Sequence, residues 1–77
     1  MIKRMNWRDH ISSDPQVLRG KPCLKHTRIP VALVLGYLAA GRDTAAIQKE
    51  FPDLRSADIR ACLDYARELA EFTAIAA

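Results

Sequence analysis

The sequence predicts a mainly α-helical fold, in which a three-helix unit with a helix-turn-helix layout follows a short N-terminal β-ribbon. Apolar residues recur at helical spacing after Pro30 and again after Ser56, which is the pattern of amphipathic helices. Before Pro30 the chain is broken by turn-forming pairs such as Asp14-Pro15, which favour short extended pieces. We divide the chain into an N-terminal arm, a β-ribbon and a three-helix unit within one domain, covering residues 1–9, 10–29 and 30–77.

The β-ribbon is expected to contain four short extended pieces, at residues 10–12, 17–18, 23–25 and 27–29. Proline disfavours the helical conformation of the residue before it, so Pro15 and Pro22 support extended backbone in this region. Strands this short do not form an independent sheet. We therefore expect them to pack on the helices or to pair with a second chain.

The first two helices have clear start and stop signals. Pro30 suits a first helical position, and Gly41 provides a C-terminal stop. Both faces of this helix are apolar, which indicates a central position or a dimer interface. The second helix is expected to be capped by Asp43 or Thr44 and to end before Pro52.

The third helix is predicted to start at Ser56, its N-cap residue, and to run to about Thr73. Its expected apolar stripe consists of Ile59, Leu63, Ala66 and Ala70, widened by Cys62, Leu69 and Phe72. The opposite side is charged, with Arg60 paired to Asp64 and Arg67 paired to Glu71 at a spacing of four residues. This charged side is typical of a solvated helix face.

The length limits how stable an isolated chain can be. A chain of 77 residues buries only about 60% of the surface of its unfolded form, so a homodimer is the expected means of stabilisation. The two cysteines are too few for a disulfide scaffold. The chain starts without an apolar signal segment, and its longest apolar stretch, 31–40, is about half as long as a membrane span. We expect a cytoplasmic protein.

The positive charge is concentrated near the N-terminus. Residues 1–28 carry seven Lys or Arg against two Asp, whereas residues 29–77 carry five cations against seven anions. A bound polyanion is expected to meet the first part, although uneven charge also occurs without a function. The DNA-binding candidates are Arg19, Lys21, Lys25 and Arg28 in the ribbon and Arg55, Ser56 and Arg60 at the start of the third helix. That helix is itself net negative, so the ribbon is better charged for phosphate contacts.

No catalytic, metal or cofactor site is expected. The histidines and cysteines, His10, Cys23, His26 and Cys62, fit no zinc-site spacing. A domain with so small a core does not offer the pocket that a small-molecule substrate needs. Trp7 lies among cations and has two interpretations, a base-stacking residue or a lid over the core, of which the lid is favoured.

Several short motifs of the chain resemble the bacterial and archaeal family called domain of unknown function 433. The resemblance covers roughly residues 9–70 and rests on DP at 14–15, GKP at 20–22, TRIPV at 27–31, LAAG at 38–41, FPDL at 51–54 and IRACLDYA at 59–66. Two positions depart from the pattern, because Arg19 and His26 stand where the family usually has glycine, which leaves the turn geometry there open. No catalytic residue follows from the resemblance.

The resemblance implies a homeodomain-like three-helix fold and a role as a VapB-like antitoxin of a type II toxin–antitoxin pair. The partners would be a PIN-like ribonuclease toxin from a neighbouring gene and operator DNA. The residues expected at the toxin or dimer interface are Val31, Leu35, Tyr37, Phe72 and Ile75. A frayed helix end is the alternative interpretation of the C-terminal ones. Two alternatives stay open: a stand-alone DNA-binding regulator, and a protein-binding adaptor that does not contact DNA.

Overall fold

The computed structural model describes residues 5–72 and contains three α-helices and a two-stranded antiparallel sheet. The strands are β1 (Ile11–Ser12) and β2 (Cys23–Leu24), and the helices are α1 (Val31–Ala39), α2 (Thr44–Glu50) and α3 (Ser56–Phe72). Single 3-10 turns are formed by Trp7–Asp9 and Leu18–Gly20. The predicted mainly helical fold with a small ribbon in front of three helices is confirmed.

The ribbon is smaller than the sequence predicted. β1 and β2 pair with Ile11 opposite Leu24, and both of these side chains are buried against the helices. The extended piece predicted at 17–18 is wrong, because Leu18 has a φ of 49° and begins a 3-10 turn. The piece predicted at 27–29 forms no strand either, because the chain turns back after β2. A hydrogen bond of 3.0 Å from the Leu24 N–H to the Ile29 carbonyl closes this turn.

The helix boundaries follow the local signals of the sequence. α1 begins directly after Pro30, and Gly41, with a φ of 91°, lies just beyond its end. Asp43 caps α2 by accepting a hydrogen bond from the Ala46 N–H at 2.8 Å. Ser56 was predicted as the cap of α3 but is its first helical residue. Asp58 fixes this helix start instead, by accepting from the Arg55 N–H at 2.9 Å.

The core lies where the ribbon, α1 and α2 meet one side of α3. It is built from Ile11, Leu24, Val31, Val34, Ile47, Leu54, Ile59, Ala61 and Cys62. The predicted apolar stripe of α3 is partly wrong, because Leu63 is 49% exposed whereas Ala61 is fully buried. The buried side is rotated because the 3-10 turn Trp7–Asp9 packs against α3 and covers Tyr65.

None of the helices in residues 5–72 combines the length and the apolar character that crossing a bilayer requires. Thr73, the predicted end of the third helix, lies outside the described residues, as do the first four residues of the N-terminal arm.

Candidate functional site

The stretch from residue 19 to residue 28, which we call the ribbon segment, carries four exposed cations: Arg19, Lys21, Lys25 and Arg28. None of these four side chains forms an ion pair within residues 5–72. Exposed cations without a carboxylate partner keep their full electrostatic attraction for an incoming anion. The ribbon segment is therefore the strongest anion-facing candidate in the described chain.

The turn that follows β2 holds two of these cations in a fixed conformation. The Thr27 hydroxyl donates to the Leu24 carbonyl at 2.7 Å and accepts from the Ile29 N–H at 3.0 Å. The Lys25 N–H donates to the His10 carbonyl at 2.8 Å, which ties the turn to the start of β1. Lys25 and Arg28 thus project from a tight, hydrogen-bonded turn, so the turn loses little backbone entropy when it binds a ligand.

A surface depression of about 530 Å³ lies between this turn and the start of α3. It is lined by Asp9, His10, Lys25, His26, Thr27, Asp53, Arg55 and Asp58. Lys25 from the predicted ribbon candidates and Arg55 from the predicted α3 candidates therefore line one surface. We call this surface the histidine depression, because both histidines of the chain line it.

One carboxylate organises this depression. Asp58 Oδ1 lies 2.9 Å from His10 Nδ1, and Asp58 Oδ2 accepts from the Arg55 N–H at 2.9 Å. Because an ionised carboxylate only accepts hydrogen bonds, the His10 Nδ1 carries the proton of this contact. Asp58 thus connects the residue before β1 to the first turn of α3.

The cysteines offer no reactive thiol at this site. Cys62 of α3 is fully buried, and its burial together with the charge of Asp58 raises its pKa to about 12. Cys23 is buried as well, and its Sγ contacts the Lys21 carbonyl at 3.4 Å. In the described part of the chain, no group of three or more His, Cys, Asp or Glu is placed to hold a metal ion.

The N-terminal arm is clamped onto α3, a contact that sequence reasoning missed. The Trp7 indole N–H donates to Glu68, and the Trp7 backbone N–H donates to Asp64 at 3.3 Å. Arg8 pairs with Glu68 at 2.9 Å and lies 4.4 Å from the centre of the Trp7 ring. The Trp7 ring meets Tyr65 edge-on at 4.9 Å, so the interpretation of Trp7 as a lid is confirmed.

The charged side of α3 is consequently occupied by contacts within the chain. The predicted Arg60–Asp64 pair is wrong, because Asp64 pairs with Arg67 at 3.0 Å instead. The predicted Arg67–Glu71 pair is present at 2.5 Å. The hydrogen bonds from Arg8 and Trp7 lower the pKa of Glu68. Ser56 and Arg60 are exposed but do not line the histidine depression.

The predicted interface residues occupy different environments. Val31 is only 1% exposed and belongs to the core, so it offers almost no surface to a partner. Leu35 and Tyr37 are half-buried, and the Tyr37 ring lies 5.7 Å from that of Phe51. Phe72 is 79% exposed at the last described position of α3, whereas Ile75 lies outside the described residues.

The model of the family described as "Protein of unknown function (DUF433)" matches residues 11–66, from β1 to the middle of α3. The chain belongs to this family. A crystal structure of a DUF433 member protein from Anabaena variabilis ATCC 29413 is similar, with a TM-score of 0.76 and 26% sequence identity. The similarity covers 83% of this chain but 63% of that chain, so this chain spans less than two thirds of the other. No curated protein matches the chain.

The two departures from the DUF433 glycine pattern keep a glycine-like backbone. Arg19 has a φ of 58° and His26 has a φ of 64°, in the left-handed region that disfavours side chains with a Cβ atom. The turn geometry that the sequence left open is therefore left-handed at both positions. In this backbone conformation the His26 side chain lines the histidine depression, where a glycine would present no side chain.

Proposed function

We propose that this DUF433 protein is the antitoxin of a type II toxin–antitoxin pair, which binds a PIN-like ribonuclease toxin and operator DNA. The observation that carries the DNA part is the ribbon segment, with four exposed cations that have no ion-pair partner within residues 5–72. Phosphate attraction supplies most of the non-specific affinity of proteins for DNA. A homeodomain-like helix-turn-helix is part of the proposal, supported by the short α2, the turn at 51–55 and the longer α3.

The ribbon segment is favoured over α3 as the main DNA contact. On α3, Arg67 is paired with Asp64 and Glu71, and Glu68 is paired with Arg8 of the arm. These pairs would have to be broken before the cations could neutralise phosphates. Arg55 and Arg60 have no such ion pair in the described chain, so α3 would contribute through its first turns.

The toxin part of the proposal is supported by exposed apolar side chains on the helices. Leu33 of α1, Leu63 of α3 and Phe72 of α3 all present large apolar side chains to solvent. Exposed apolar surface on a small domain is typical of a protein-binding site. The proposed homodimer would draw on the same kind of surface.

Co-expression with the neighbouring reading frame tests the proposal. An antitoxin is expected to co-purify with the neighbouring protein and to rescue growth when that protein is toxic. The L63S/F72S variant should lose both effects, whereas L18S, which changes an exposed leucine outside the helices, should keep them. A neighbouring protein that is harmless and does not co-purify would contradict the antitoxin role.

DNA binding separates the alternatives. The K21A/K25A/R28A variant is expected to bind the operator much more weakly while still capturing the toxin. Operator binding without a protein partner would instead identify a stand-alone regulator. Capture of the neighbouring protein with no affinity for its upstream DNA would identify an adaptor.

A further inference from the structure

Both histidines of the chain, 16 positions apart in sequence, line one depression. His10 is held by Asp58 at 2.9 Å, and His26 is brought in by the left-handed turn after β2. Histidine is the side chain that gains a positive charge between pH 8 and 5. A surface that collects all the histidines of a protein therefore changes its charge in this range more than any other surface of that protein.

The charge balance of the histidine depression is close to neutral. Its permanent charges are the two cations Lys25 and Arg55 and the three carboxylates Asp9, Asp53 and Asp58. Two cations against three carboxylates leave a net charge of about −1 when both histidines are neutral, and four against three give about +1 when both are protonated. Protonation of the histidines thus reverses the sign of the surface.

We propose that the histidine depression binds a phosphate of the nucleic-acid backbone and that this contact tightens when His10 and His26 are protonated. This contact rests on the DNA binding of the proposed function. It adds the site that holds one phosphate and the protonation state that favours the contact. Lys25 and Arg55 lie on the two sides of the depression, on the turn and at the start of α3. Of the three carboxylates in the depression, Asp58 repels the phosphate least, because its two oxygens are engaged by His10 and by the Arg55 N–H.

His10 is prepared for this role by its contact with Asp58. When Nδ1 donates to the carboxylate, Nε2 is the nitrogen that takes up the second proton. His26 is exposed and makes no ion pair in residues 5–72, so its charge is available to an incoming phosphate.

The test uses the full chain and a random-sequence 20-base-pair duplex, because a phosphate contact does not depend on base sequence. Affinity is measured by fluorescence anisotropy at pH 8.0 and pH 6.0 in 0.1 M salt. One additional phosphate contact changes the affinity by roughly eightfold at this salt concentration. Wild-type protein is expected to bind on the order of tenfold more tightly at pH 6.0 than at pH 8.0.

The H10N/H26N variant is the matched comparison. Asparagine at position 10 retains a side-chain N–H for Asp58, and asparagine at position 26 tolerates the left-handed backbone. The variant also keeps every other titratable group of the chain, so it controls for pH effects that arise outside the two histidines. It should lose the gain in affinity that wild type shows between pH 8.0 and pH 6.0. Circular dichroism at both pH values verifies that it is folded, and H10N/H26G serves in its place if it is not.

Three results would overturn the inference. A gain of the same size in the double variant would place the pH dependence outside the two histidines. Wild-type binding that is independent of pH but is weakened in K21A/K25A/R28A would refute the role of the two histidines while leaving the proposed DNA binding intact. No binding by wild type at either pH would refute both.

Discussion

The ribbon segment and α3 use their charges in opposite ways. On α3 the charged side chains other than Arg60 are engaged within the chain: Asp64 and Glu68 hold the arm through Trp7 and Arg8, and Arg67 bridges Asp64 and Glu71. In the ribbon segment, four cations are exposed without an ion pair in the described residues. The charged side of α3, which the sequence predicted to be solvated, therefore holds the arm in place. The cations of the ribbon segment remain available to bind a ligand.

The largest expected effect separates a buried residue of α3 from an exposed one. I59A should lower the free energy of unfolding by about 2–5 kcal/mol, because Ile59 is 1% exposed in the core. L63A, one turn further along, should change it by less than about 0.5 kcal/mol. Urea unfolding of both variants measures the difference. Equal losses would mean that the apolar stripe predicted from the sequence, and not the observed one, is buried.

The next effect concerns the clamp between the arm and α3. W7A should lower the free energy of unfolding by about 2 kcal/mol, less than for a fully buried tryptophan, because Trp7 is half-buried against Tyr65. The same urea titration measures it. The K21A/K25A/R28A variant is the control from the other region and should unfold like wild type. An unfolding free energy unchanged by W7A would show that the arm contributes nothing to stability.

A smaller effect is expected at Arg19 and His26, which have a left-handed backbone conformation. R19G and H26G should each raise the free energy of unfolding by about 0.5–1 kcal/mol, because glycine relieves the positive φ at these positions. K25G, in the same turn but without a positive φ, is the control and should lower it by about 0.5–1 kcal/mol. Thermal unfolding compares the three variants. A loss of stability in H26G would contradict the left-handed turn.

The smallest effect is the acid sensitivity of the clamp. Arg8 and Trp7 hold the pKa of Glu68 below its ordinary value of 4.5. The stabilisation by ionised Glu68 is therefore complete above pH 4.5 and is lost as the pH falls through the lower pKa of the folded state. Melting temperatures between pH 7 and pH 3 should fall less steeply for E68Q than for wild type. R8A removes the main cause of the shift and should flatten the curve in the same direction.

Local signals in the sequence were sufficient for the helices but not for the contacts between distant segments. Pro30, Gly41, Asp43 and Pro52 mark helix ends through the conformations of a few neighbouring residues, and the structure places the ends of α1 and α2 within two residues of them. The contact of Trp7 with Glu68 joins residues 61 positions apart. No local pattern indicates such a pair, and the spacing of charges on α3 suggested a solvated face instead.

The candidate site was predictable in part for the same reason. Counting charges along the sequence found the cations of the ribbon segment, because such a count needs no knowledge of the fold. It did not find that Lys25 and Arg55 line one depression with both histidines. That arrangement depends on the reversal of the chain after β2, where His26 adopts a left-handed conformation that its residue type does not favour.

The salt dependence of DNA binding tests the contrast between the two regions most directly. The slope of log K against log salt concentration counts the phosphates that the protein neutralises, at about 0.9 per phosphate for duplex DNA. We predict that K25A/R28A reduces this slope by up to about 1.8, while R42A/K49A, which removes two exposed cations outside the ribbon segment, leaves it unchanged. A slope that is the same in K25A/R28A and wild type, or that falls equally in both variants, would contradict the account.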